Sequence, residues 1–298
     1  MKKIILAGLC LLMAAALSSC SSENETPVFD DQAVAQVTVH TSGFEVSQQD
    51  FSGTRSTAVG DYTGVKMLTL AFYRVSDNKE VYKHTQYRDD ATTFTTFGEF
   101  STTLPLGNYK MVVLAYGGNN VITLTSPTVA TYGESRVLET FSATQTVNIT
   151  STTAVNLSAT LSRIVSVLVV KSTDNRPAEV THMRFTYGAG GKGFNPTTGL
   201  STSNTGFVNL MDFTGAAGST TSNGGFLFLA TDEQTMSVTI ETLNADGVVL
   251  FTKTVNDVPM KRNRATILTG AVYDVSAGAT AGSFQVSEGW LTDYNMDF

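Results

Sequence analysis

Ile164-Val165-Ser166-Val167-Leu168-Val169-Val170 is the stretch on which the fold turns. It is short, dominated by β-branched residues, and interrupted by only one polar side chain. A continuous apolar run of this length reads as a strand buried on both faces or nearly so. Asp174-Asn175-Arg176-Pro177 turns the chain, and Val180 to Tyr187 returns with Met183, Phe185 and Tyr187 on one face. A Gly-, Asn- and Thr-rich segment from Gly188 to about Asn223 reads as a flexible loop, and Phe226-Leu227-Phe228-Leu229 as the next strand. Met236 to Leu243, the turn Asn244-Ala245-Asp246-Gly247 and Val248 to Val255 spell the clearest hairpin in the chain. Alternation resumes in Thr266-Ile267-Leu268 and continues through Ala271-Val272-Tyr273.

Upstream, around Ser158 to Arg163, the pattern starts afresh. The preceding half holds strands at Val37-Thr38-Val39, Met67 to Tyr73, Val81-Tyr82, Phe94 to Thr103, Tyr109 to Tyr116, Thr146 to Ile149 and Val155 to Leu161. Pro105-Leu106-Gly107-Asn108 between apolar runs is a turn, because Pro fixes one φ and Gly or Asn tolerates a positive one. No window from 36 to 161 sustains a helical period with caps. Short strands with turns every 8–12 residues argue for β-sandwiches. Two of them, 36–156 and 157–298, account for the length.

The chain opens on Met1-Lys2-Lys3 and an apolar run from Ile4 to Leu17, closed by Ser18-Ser19-Cys20. A short positive region, an apolar segment and small residues make residues 1–19 a secretory signal peptide. A transmembrane helix fits less well, since about 14 apolar residues fall short of the roughly 20 a span requires. Cys directly after Leu17-Ser18-Ser19 also matches the bacterial lipobox, in which Cys20 becomes lipidated and the new N-terminus. A plain signal peptide ending in Ser-Ser-Cys is the alternative. Residues 20–35 carry little hydrophobic pattern and read as an acidic tether. The acids close behind Cys20 resemble the surface-export signal of Bacteroidetes lipoproteins, with an ordinary acidic linker as the other reading.

Removing residues 1–19 takes Lys2 and Lys3, so 17 basic residues face 26 acidic ones, a net charge of −9. A nucleic-acid partner is excluded for want of a basic stripe. Cys10 leaves with the signal, Cys20 remains alone, and no internal disulfide is possible. An exported domain without one must be held by its core.

The motifs of chemistry are weak. His40, His84 and His182 are too far apart for local metal-ligand spacing, and no nucleophile elbow is present. Gly188-Ala189-Gly190-Gly191-Lys192-Gly193 contains Gly-x-Gly-x-x-Gly, but Phe194-Asn195-Pro196 follows where a dinucleotide site needs a helix. As a P-loop it fails too, because Gly193 stands where a magnesium-binding hydroxyl is required. No cofactor and no metal are expected. Lys261-Arg262-Asn263-Arg264 reads as a solvated turn.

Three signals sit together: a lipobox followed by acids; "TLPLGNYKMVVLAY" (103–116), with its Leu-Pro-x-Gly-x-Tyr strand start; and "LSATLSRIVSVLVV" (157–170) with "VPMKRNRATILTGAVY" (258–273). Together they resemble the Bacteroidetes fimbrillin superfamily, which comprises the subunits and anchoring lipoproteins of major and minor fimbriae. The resemblance implies two tandem transthyretin-like β-sandwiches and no enzymatic activity. It implies a structural subunit or membrane anchor of surface fimbriae that supports adhesion. Its partners are other fimbrial subunits, joined by strand addition, the outer membrane, through lipid on Cys20, and a host or bacterial surface ligand.

In polymerising members an Arg-specific protease cuts in a loop behind the first strand, which then leaves a groove for a neighbour's strand. Arg55, within Phe51-Ser52-Gly53-Thr54-Arg55-Ser56-Thr57, is the best-placed residue here, with an ordinary loop arginine as the alternative. Arg74 and Arg88 sit in or beside strands. At the C-terminus Trp290, Tyr294, Met296 and Phe298 fall on one face of an extended chain. Four such side chains entering an empty groove could contribute on the order of 6–12 kcal/mol. Residues 290–298 are therefore the candidate donor strand, unless they close the second sandwich of their own molecule. The competing function is a surface glycan-binding lipoprotein of a polysaccharide-uptake system, also all-β and tethered. An enzyme comes third, since only residues brought together in space would support it.

Overall fold

The computed structural model describes residues 33–47, 54–90, 92, 94–118, 121–134, 136–213, 216–274 and 284–289. The signal peptide, most of the tether with Cys20, and the candidate donor strand (Trp290, Tyr294, Met296, Phe298) lie outside these residues. The described chain is all-β, with no α-helix among the described residues.

In chain order the strands are β1 (Val34–Ser47), β2 (Thr54–Thr57), β3 (Met67–Arg74), β4 (Glu80–Tyr87), β5 (Glu99–Pro105), β6 (Gly107–Tyr116), β7 (Ile122–Ser126), β8 (Val129–Tyr132) and β9 (Thr140–Ile149). They continue as β10 (Val155–Arg163), β11 (Ser166–Ser172), β12 (His182–Tyr187), β13 (Gly193–Phe194), β14 (Phe207–Asp212), β15 (Ser222–Leu227), β16 (Glu233–Leu243), β17 (Val249–Lys261), β18 (Ala265–Gly270) and β19 (Gln285–Gly289).

One eight-stranded sheet runs β2-β1-β10-β9-β6-β3-β4, with β5 also on β1. Strands β9 and β10 pair only at Ser142–Ser162 and Phe141–Arg163. The sheet therefore folds over at that corner into two leaves. Ala35, Val37, Val39 and Phe44 of β1, Phe100 and Leu104 of β5, and Ala159 and Leu161 of β10 share a core with Leu68, Leu70 and Phe72 of β3 and Met111, Val113 and Ala115 of β6. The odd-even pattern of each strand supplies that face, as a period of two requires.

The continuous apolar runs have a different cause. Met67, Ala71 and Tyr73 of β3 and Val112, Leu114 and Tyr116 of β6 point the other way, into a second core. That core also takes Val167 and Val169 of β11, Phe226 beside Phe228, and Ala265 and Ile267 of β18. The opposite face of β11, Leu168 and Val170, enters a third core with Phe185, Tyr187, Val238 and Ile240. Sheets β15-β11-β18-β19 and β14-β12-β16-β17 are thus linked in series to the first sandwich through shared cores. Ile164 to Val170 is apolar except for the buried Ser166 because β11 is covered on both faces.

Gly188 to Asn223, expected as a flexible loop, is more ordered than that and contains β13 and β14. Phe194 is fully buried, its ring 4.2 Å from that of Phe228 and nearly parallel to it. Gly193 and Phe194 pair with Thr131 and Ala130 of β8, so a strand from the second half extends the small sheet β13-β8-β7 of the first. Gly190 (φ +74°) makes the bend, where a Cβ would meet Phe228 O at 2.7 Å. The hairpin turn forms as expected. The Asn244 side-chain oxygen accepts from Asp246 N and Val248 N at 3.0 and 2.9 Å, and Gly247 takes φ +78°.

The Leu-Pro-x-Gly-x-Tyr stretch also has a physical basis. Tyr109 at the start of β6 donates its hydroxyl to Pro105 O at 2.8 Å, and its ring meets Phe72 edge-on at 6.4 Å. The tight β5–β6 connection is thereby latched by the first inward residue after it. Tyr109→Phe is expected to lower stability by about 0.5–1.5 kcal/mol, the usual net value of such a bond; urea unfolding checks it.

Candidate functional site

Strand β1 is the element on which the expected assembly chemistry depends. Along one edge it runs parallel to β10 from Val37–Val155 to Glu45–Ser162, with a bulge at Thr41/Gly43. Along the other it pairs antiparallel with β5 over Val34 to His40, and with β2 over Phe44 to Ser47. Thr41 N, at the break between those two partners, donates to Gly98 O at 2.8 Å. The bulge turns Ser42 outward, where its hydroxyl lies 2.9 Å from that of Thr160, and returns Phe44 to the core. Phe44 meets Phe141 at 4.8 Å and Tyr62 at 5.4 Å between ring centres. Three of the inward residues, Ala35, Val37 and Val39, are small. Val37, Val39 and Phe44 together contribute on the order of 5–9 kcal/mol of apolar burial.

Arg55, expected in a loop, has its backbone in the short strand β2, opposite Val46. Among the described residues β2 is the terminal strand of the sheet and pairs only β1. Arg88 is built into the structure: its guanidinium donates to Val65 O, Val59 O and Tyr62 O at 2.7–3.1 Å and lies 4.3 Å over the Phe97 ring. Arg74 pairs with Asp77 at 3.2 Å.

Arg163 sits at the corner where β10 leaves β9, with its side chain 1% exposed. Its Nε lies 2.7 Å from Glu139 Oε1, an ion pair rather than a well-aligned hydrogen bond. Nη1 donates to Asn263 Oδ1 at 3.0 Å and Nη2 to Tyr62 Oη at 3.2 Å. Tyr62 in turn donates to the Glu139 carboxylate at 2.8 Å. Burial, reinforced by the charge of Glu139, pushes the Tyr62 phenol well above its ordinary value and keeps it protonated as a donor. A polar cavity of about 680 Å³ opens beside this group and reaches Thr197 and Arg262. Arg262 is itself held by Asp232 at 2.7 Å and by Thr198 O at 2.7 Å, and Lys261 pairs with Glu233. The basic cluster at 261–264 is a turn whose first two cations are paired.

The histidines stay apart. His40 lies 3.3 Å from Glu99 and His182 3.1 Å from Asp212. Thr181 Oγ1 is 2.8 Å from His182 Nδ1, a hydroxyl–imidazole–carboxylate series. Asp212 is 82% exposed, so the series is a solvated surface contact. Among the described residues no group of three or more His, Cys, Asp or Glu gathers as a metal site.

Strand β19 pairs Gln285 to Gly289 with Thr269 to Ala265 at the edge of its sheet. Its first four residues are exposed on both faces, so backbone pairing rather than side-chain burial holds it. It leads in sequence directly into 290–298.

The chain belongs to a family of unknown function, DUF6562, whose model matches residues 31–282. No curated protein matches it. Among solved structures, a candidate adhesin from Bacteroides ovatus superposes with a TM-score of 0.52 at 10% identity, over 91% of this chain and 98% of that one. That likeness shows a shared fold. The fimbrial anchor protein Mfa2 from Porphyromonas gingivalis gives a TM-score of 0.43 at 11% identity, over 86% of this chain and 98% of that one.

Proposed function

We propose that this chain is a non-enzymatic surface lipoprotein that anchors or terminates a fimbrium, and that β1 stays in place in the working protein. The reading rests on the setting of β1, which is paired along both edges and seats Ala35, Val37 and Val39 against the opposite leaf. A strand that replaced it would need small side chains at those positions. The chain's own tail offers Trp290, Tyr294, Met296 and Phe298. Forcing large rings into space shaped for valine costs about 1–3 kcal/mol per site. Head-to-tail polymerisation of identical copies through this slot is thereby disfavoured. The tail instead donates to a different fimbrial subunit with wider pockets, by strand addition. Lipid on Cys20 holds the protein at the outer membrane, and two or three acyl chains make that attachment stable where one would give only weak, reversible binding.

The test is the N-terminus of the mature protein. Mass spectrometry of outer-membrane and sheared fimbrial fractions is expected to find an acylated chain starting at Cys20. A chain starting at Ser56 in assembled fimbriae would overturn the anchor reading and establish Arg55 as a processing site.

A further inference from the structure

Among the described residues, strands β4 and β5 are the edges of the two leaves of the first sandwich: there β4 pairs only β3, and β5 only β1. Between them opens a cleft of about 450 Å³, within the range of small-ligand sites. Its shape is fixed by a buried amide. Gln86, 1% exposed, donates from Nε2 to Glu99 O at 2.6 Å and accepts from Gly98 N at 2.8 Å, tying the two edges together. Phe100 is buried at the base. Tyr82, His84 and Phe94 line the cleft half-buried, and Thr95 and Glu99 stand exposed at its rim. Each ring is braced from behind: Tyr82 against Phe72 at 6.3 Å, His84 edge-on to Phe100 at 6.2 Å, Phe94 against Phe97 at 5.6 Å.

The lining discriminates between ligand classes. Braced aromatic rings offer flat apolar faces at low entropy cost, while the hydroxyls and the carboxylate take polar hydrogens. A lipid or an apolar peptide would strand the polar rim without partners. An anionic ligand would meet Glu99, whose carboxylate His40 contacts at 3.3 Å, and no Lys or Arg among the lining residues, on a chain of net charge −7. A pyranose has what the site asks for: one C–H face to lie on a ring and a girdle of hydroxyls to donate. We infer that the β4–β5 cleft binds a neutral saccharide, one or two rings deep, stacked on Tyr82 and hydrogen-bonded to Glu99. This site is independent of β1 and of the tail, so it stands or falls apart from the anchor reading.

The full-length protein in detergent is applied to an array of neutral and acidic glycans, and the hits are measured by calorimetry. Neutral sugars are expected among the hits. Tyr82→Ala should weaken them by about tenfold or more, as removal of a central aromatic contact does. Glu99→Gln, an isosteric change at an exposed position, should weaken them several-fold with the melting temperature unchanged. The proposal is overturned by capture of acidic glycans only, by no glycan binding, by binding of extended peptides in the cleft instead, or by neutral-sugar binding that survives both substitutions.

Discussion

Arg163→Ala is expected to destabilise the chain by about 3–5 kcal/mol, the cost of breaking a buried ion pair by removing one partner. The substitution leaves the Glu139 carboxylate, 12% exposed, with the Tyr62 hydroxyl as its one donor among the described residues. It also removes the guanidinium that lies 5.1 Å from the Phe141 ring centre and the bond to Asn263 in the turn between β17 and β18. The cost is therefore one of desolvated charge and not of lost Coulomb attraction alone. The double variant Arg163→Met with Glu139→Leu removes both charges, and the stability it recovers separates the two contributions. Urea unfolding of the three proteins is the measurement. Recovery of more than half the loss is expected; a double variant as unstable as Arg163→Ala would mean the corner depends on the guanidinium's other bonds. The position matters because β9 and β10 meet only here, and Arg163 spans from Tyr62 and Glu139 to Asn263.

Much of this was legible in the residues because the strands obey simple periods. Met67 to Tyr73, Tyr109 to Tyr116 and Ile164 to Val170 read as strands, and their lack of a polar face correctly implied burial on both sides for the last. What could not be read was which sheets would cover them. Strands β7 and β8 escaped notice because Ile122, Leu124, Ala130 and Tyr132 are too sparse to mark a period alone; they are strands because they complete a core with β3, β6 and β11. The Gly188–Asn223 segment was misread for the opposite reason. Its glycines and threonines match a loop, yet Phe194 is an anchor whose partner Phe228 lies 34 residues on, so only tertiary packing fixes β13. Gln86, which closes the saccharide cleft, carried no signal at all: its task is to satisfy backbone groups of a strand 12–13 residues away. Arg163, by contrast, stood in a stretch already singled out as a junction, and a charged residue between Leu161 and Ile164 was the clue to a buried partner.

Deleting residues 290–298 is expected to abolish incorporation of the protein into fimbriae while leaving its melting temperature within about 2 °C of the parent, a shift that corresponds to about 1 kcal/mol for a chain of this size. The reasoning starts from β19, whose pairing with β18 ends at Gly289 and whose exposed side chains add little to the core. Leu168, Val170, Leu227 and Leu268 are fully buried in a core they share with side chains of β12, β16 and β17. On the proposed reading Trp290, Tyr294, Met296 and Phe298 act on a partner. With an apolar contribution on the order of 6–12 kcal/mol, their loss removes most of what would hold a strand in a neighbour's groove. Sheared fimbriae from cells carrying the deletion, probed for this protein, give the readout, with single changes Tyr294→Asp and Phe298→Asp as graded controls. Normal incorporation would sink the donor-strand role. A large drop in melting temperature would assign the tail to this chain's own second sandwich instead. Self-association provides the sharper discrimination, since a tail that fits a wider groove than the one β1 fills should leave the purified protein monomeric even after cleavage at Arg55. Polymers formed by the cleaved protein alone would show that the β1 slot relaxes enough to take the large side chains, and would move the chain from anchor to stalk.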